Sequence, residues 1–160
     1  ILILFAILPR IEPRRQHLQQ SRRPYVMIGI GVLVFFLAVH AWLVASALGL
    51  RGNTSVFILA MVGALFVLIG FVLGRVKSNF VMGIRTPWTL SSELSWEKTH
   101  RLGGILFVSL GVLMLLGSLV VGSEILVPWL VGASLCMVAV LLVYSYIVWR
   151  NDPNKQQFGR

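Results

Sequence analysis

Glu93, Trp96, Glu97 and His100 lie at offsets 0, 3, 4 and 7, so on a helix all four share one face. Two carboxylates and an imidazole on one stripe could ligate a metal ion, since Glu-x-x-His at i, i+3 recurs in carboxylate-bridged sites of helical bundles. Such sites need a second Glu-x-x-His, and the chain has none. Glu93, Glu97 and His100 therefore stand as a weak metal candidate, and the stronger expectation is an interfacial helix with charges among lipid headgroups and Trp96 as an anchor. His40 lies inside an apolar run, where a proton carrier or haem ligand could sit. The simpler expectation is a neutral histidine hydrogen-bonded to a neighbouring helix. No acidic residue lies deep in any apolar run, so the usual carboxylate relay of a proton-coupled transporter is missing. No nucleophile has a nearby base, and no phosphate-cradling glycine loop or His-x-x-x-His pair occurs. Neither an enzyme nor a cofactor is expected, and the single cysteine, Cys136, allows no intrachain disulfide.

The elements that must position these residues are set by composition. Hydrophobic residues make up 58% of the 160 residues and charged residues 12%, which identifies an integral membrane protein. About 20 helical residues rising 1.5 Å each cross a hydrocarbon core of roughly 30 Å. Four apolar runs meet that length, about 25–48, 55–74, 103–122 and 125–149. Residues 1–8, ILILFAIL, are too short to span and read as the end of a truncated span, so the sequence is expected to be a fragment of a longer protein. The fold class is all-α, a polytopic transmembrane helical bundle with four complete spans plus that end. Small residues at four-residue spacing, Ala60 and Ala64, Gly70 and Gly74, and Ser118 and Gly122, offer sites for close helix packing.

Lys and Arg number five in 9–24, one in 49–54, five in 75–101, none in 122–124 and three in 150–160. The charge alternates between the two sides, so the net +9 reports topology rather than direct nucleic-acid binding. Positive-inside bias places the basic loop 9–24, the loop 75–101 and the C-terminus in the cytoplasm. Membrane lipids are the first expected partner, since the arginines of 9–24 can meet anionic headgroups.

The loop 75–101 reads RVKSNFVMGIRTPWTLSSELSWEKTHR. Its first half mixes polar, glycine and aromatic residues, as suits a re-entrant or surface-lying segment where Gly83 permits an unusual turn and Pro87 fixes the next. Its second half reads as a short interfacial helix with Ser91 as N-cap and Glu93 in the first turn.

Asn79 to Ser92, NFVMGIRTPWTLSS, followed by Trp96 to Arg101, WEKTHR, closely resembles the signature loop of the SdpI/YfhL family of bacterial membrane proteins. Upstream, LPRIEPRR at 8–15 is similar to that family's earlier cytoplasmic motif, with Glu12 where an Asp often precedes the second proline. The resemblance implies a multi-pass protein of the bacterial plasma membrane whose founding member gives immunity to a secreted peptide toxin. That member also signals, holding a cytoplasmic regulatory protein at the membrane. It implies functional residues at Asn79, Gly83, Arg85, Thr86, Pro87, Trp88, Trp96, Lys98, Thr99 and His100, with Pro9, Glu12, Pro13 and Arg14 upstream. A peptide toxin and a cytoplasmic regulator are the partners that follow from it. The other reading is a small polytopic transporter or channel in which the 79–100 loop lines a path.

Overall fold

A computed structural model of the chain describes residues 21–155. Residues 1–8 and the upstream motif of Pro9, Glu12, Pro13 and Arg14 lie outside the described residues. Among the described residues five helices follow one another: α1 (Arg22–Ala47), α2 (Thr54–Leu73), the short α3 (Pro87–Ser91), α4 (Glu93–Val120) and α5 (Ser123–Arg150). All except α3 are long and apolar enough to cross a membrane. The architecture is all-helical, as composition demands.

Local chemistry sets the boundaries. Asn53 caps α2 by accepting from the Val56 N–H at 3.2 Å. Trp42 on α1 donates to the Thr54 hydroxyl at 3.1 Å and stacks on Phe57, which ties the tight α1–α2 turn. Ser92 is extended and separates α3 from α4, and its side chain accepts from the Ser95 N–H as the α4 cap. The N-cap is thus Ser92, and Ser91 instead closes α3 by donating to the Pro87 carbonyl. The short helix expected from Ser91 onward is not separate from the third long run. Glu93 to Val120 is one continuous helix, because neither glycine of the Gly103–Gly104 pair interrupts the ladder while both are buried in packing.

The long helices lie antiparallel in the row α1, α2, α4, α5. Lipid offers apolar side chains as good a surface as a neighbouring helix does, so association depends on close approach. The α2–α4 contact achieves it with two glycine pairs. A Cβ on Gly70 would stand 2.6 Å from the Gly104 carbonyl oxygen, and one on Gly111 2.6 Å from that of Gly63. Within each helix the paired glycines are seven residues apart, so both pairs fall on the same seam. Gly74, the expected partner of Gly70 in spacing, meets nothing.

Outside the seams the helices are apolar and exposed, with Leu37, Leu119 and Ile125 turned away from the protein. His40 is exposed as well. Among the described residues the expected hydrogen bond to a neighbouring helix is not formed, because α1 packs on α2 through another face, where Gly31 meets Leu68.

Replacing Gly104 or Gly111 by alanine drives a Cβ into backbone and should cost about 1–3 kcal/mol. Gly132→Ala, where a Cβ meets nothing, should be neutral or slightly stabilising. Thermal unfolding of the purified chain in mild detergent distinguishes these outcomes.

Candidate functional site

The residues between α2 and α4 fold back over the end of the bundle, and the folding starts with α2's exit. The Arg75 and Val76 N–H groups bond to the Val72 and Leu73 carbonyls, and Lys77 N–H donates to the Ser21 hydroxyl at 2.9 Å, joining the loop to the start of α1. Asn79 is fully buried. Its side-chain oxygen accepts from the Val81 and Met82 N–H groups, both at 2.8 Å, while its amide donates to the Lys77 carbonyl at 2.7 Å. This is an Asx turn with every side-chain atom committed. Gly83 then takes φ +111°, and a Cβ there would lie 2.3 Å from Nε2 of His100. Both the backbone conformation and the space require glycine.

One residue further on, Ile84 N–H donates to His100 Nε2 at 2.9 Å, and His100 Nδ1 lies 2.8 Å from the Trp96 carbonyl. A carbonyl only accepts, so Nδ1 must carry the proton; an N–H only donates, so Nε2 must be bare. The two contacts therefore select the neutral Nδ1–H tautomer. Trp96 stacks on the imidazole with ring centroids 4.0 Å apart, and its indole N–H donates to the Val76 carbonyl at 2.8 Å. One turn of α4 thus grips the loop at Val76 and at Ile84. The Ile84 side chain reaches inward to Gly103 and to the cluster of Leu110, Met137 and Leu141.

Thr86 and Thr89 form a reciprocal capping box at α3, with Pro87 in its first turn. Thr89 also donates to the Ile84 carbonyl at 2.8 Å, and the Thr86 hydroxyl lies 3.3 Å from that of Ser145 on α5. Ser95 donates to the Ser145 carbonyl at 2.8 Å. Past the end of α5, Asp152 accepts from the Ser92 hydroxyl and from Asn154 N–H. The Ser92 bond first, then the Asn154 amide and the nearby Lys155 charge, hold the Asp152 carboxyl below its ordinary pKa. A depressed carboxylate stabilises above its unfolded pKa, so this clasp weakens as acid protonates Asp152.

The motif residues divide sharply. Asn79, Thr86, Trp96, Thr99 and His100 are buried, whereas Arg85, Pro87 and Lys98 are exposed and Trp88 is half-buried with its edge on Tyr146. Arg85 bonds to the Phe80 carbonyl, which closes the turn around Gly83 from outside. Thr99 is packed with no hydrogen-bond partner for its hydroxyl among the described residues. Trp96 is 2% exposed and so is no interfacial anchor; its ring serves the loop instead. The structure does not assemble Glu93, Glu97 and His100 into a ligand set. Both carboxylates are exposed, both imidazole nitrogens are occupied, and the described residues contain no group of three such ligands. Sequence reasoning missed Ser92, Ser95, Ser145 and Asp152; α5 carries three serines, Ser123, Ser134 and Ser145, and nothing local sets Ser145 apart.

Residues 75–147 match the model of the SdpI/YfhL protein family. The family segment begins at the loop and runs through α3, α4 and most of α5, so it contains the whole of the Trp96–His100 grip and Ser145. The chain is also 28% identical over 116 residues to a protein of Bacillus subtilis (strain 168) named Immunity protein SdpI, covering 72% of this chain and 55% of that protein. It spans about half the length of that curated relative. No solved structure matches the chain.

Gly83→Ala meets both a strained φ and the imidazole, and should cost about 2 kcal/mol or more. His100→Phe, which removes the Ile84 acceptor while keeping a ring, should loosen the family segment's loop. Nitrogen-15 NMR of the imidazole at neutral pH should show the Nδ1–H tautomer; a protonated Nε2 would contradict the bonding described.

Proposed function

We propose that the chain is the membrane part of an immunity-type protein that protects its cell against a secreted peptide toxin, in a non-enzymatic role. The supporting observation is the division of the family segment into two sets. Buried Asn79, Thr86, Trp96 and His100 hold the loop's shape, and Arg85, Trp88 and Lys98 are left on its outer surface. Buried side chains are unavailable to a partner, so recognition falls to the outer set. The name of the B. subtilis relative supports the immunity reading. On this reading Trp88, beside Tyr146, supplies an amphipathic contact at the membrane interface, and Arg85 and Lys98 supply positive charge. With the loop on the cytoplasmic side, as the charge asymmetry favours, the same surface suits an acidic regulatory protein held at the membrane. The transporter or channel reading gains nothing from the geometry, since Ile84 and His100 fill the inner side of the loop where a path would run.

The test is survival of a toxin-sensitive bacterium that expresses the full-length protein and meets a sibling-type peptide toxin. Wild type should protect, and Arg85→Ala and Trp88→Ala should each lower survival at least about tenfold at unchanged membrane levels, the scale expected when one contact worth about 1.4 kcal/mol is lost. Absence of protection by correctly inserted wild type, or full protection by both variants, contradicts the proposal.

A further inference from the structure

Beside the glycine seam, on the outward side of α2 and α4, runs a groove of about 550 Å³. Its floor is Gly70, Gly74 and Gly104, where no side chain projects, and Phe71 and Ile105, both mostly exposed, flank it. Arg75 and Arg101 line the same groove at the loop end, together with Glu97. From Glu97 to Val108 along α4 the lining covers about 16 Å at 1.5 Å per residue. That is close to the depth of one leaflet, roughly half of a 30 Å hydrocarbon core.

We propose that this groove holds an anionic phospholipid, with its phosphate on Arg75 and Arg101 and the upper part of one acyl chain along Gly74, Gly104 and Ile105. The chemistry fits in three ways. The groove changes from charged to apolar along its length, as a phospholipid does. Two guanidinia against one carboxylate leave the mouth positive, and a guanidinium binds phosphate oxygens through paired N–H groups. Glu97 lies one helical turn further from the apolar floor than Arg101, so it borders the headgroup rather than the phosphate. The site differs from the outer surface of the loop assigned to toxin recognition, and its occupancy does not depend on that assignment.

Native mass spectrometry of the full chain released from nanodiscs of equal phosphatidylglycerol and phosphatidylcholine tests the proposal. Each basic group near the surface contributes roughly fivefold, so phosphatidylglycerol should be retained about thirtyfold over phosphatidylcholine. The R75Q/R101Q double variant should bring the two lipids level. Gly74→Leu projects a side chain into the groove from a position where the added Cβ meets nothing within 4 Å and φ is −68°. It should remove bound lipid while leaving the unfolding temperature and the monomer mass unchanged. Equal retention of the two lipids by the native chain, or unchanged preference in R75Q/R101Q, overturns the proposal. So does displacement by millimolar inorganic phosphate, which marks a bare anion site, or loss of a dimer rather than of lipid in Gly74→Leu, which marks a second copy as the occupant.

Discussion

An imidazole nitrogen of α4, His100 Nε2, accepts the N–H of Ile84, a residue of the preceding loop, and the loop's path depends on that bond. The N–H would otherwise point into protein with no water to receive it, at the penalty of a buried unpaired donor. The bond forms only because Gly83 turns through positive φ and lets the backbone come within reach of the ring. The ring is in turn fixed by the carbonyl of Trp96 one turn back and by the indole face stacked on it. Backbone conformation, tautomer and ring orientation therefore specify one another.

This arrangement requires α2 and α4 to sit closer than ordinary side chains allow. The Gly63–Gly111 and Gly70–Gly104 contacts bring the exit of α2 beside the first turns of α4, so that Trp96 can reach back to the Val76 carbonyl. From α5, Ser145 meets both Thr86 and Ser95, and Asp152 meets Ser92. The loop is consequently held between the exit of α2 and the ends of α4 and α5. Its outer surface, with Arg85, Trp88 and Lys98, is displayed on a frame rather than on a flexible connection.

Hydropathy revealed the four long helices because a run of about 20 apolar residues has few alternatives in a bilayer. The motif singled out Asn79, Gly83, Trp96 and His100, but not the structural part that each plays. Periodicity put Trp96 and His100 on one face with Glu93 and Glu97, which suggested a metal stripe. Periodicity cannot say which part of a face turns inward, and here the aromatic pair turns inward while the carboxylates stay out. The choice of Ser92 over Ser91 as cap, and the fusion of the presumed interfacial helix with the span, depend on single-residue backbone angles that neighbouring serines do not reveal. Ser145 and Asp152 act across 50 and 60 residues of sequence, separations at which a serine or aspartate gives no local signal.

Amide hydrogen exchange of the membrane-inserted chain, read at Val81, Met82 and Ile84, most directly tests the claim that the loop is a fixed frame. These amides end on Asn79 and His100, so they should exchange far more slowly than an unstructured peptide, and Ile84 should lose its protection in His100→Phe. Exchange of all three at free-peptide rates in the native chain would contradict the account.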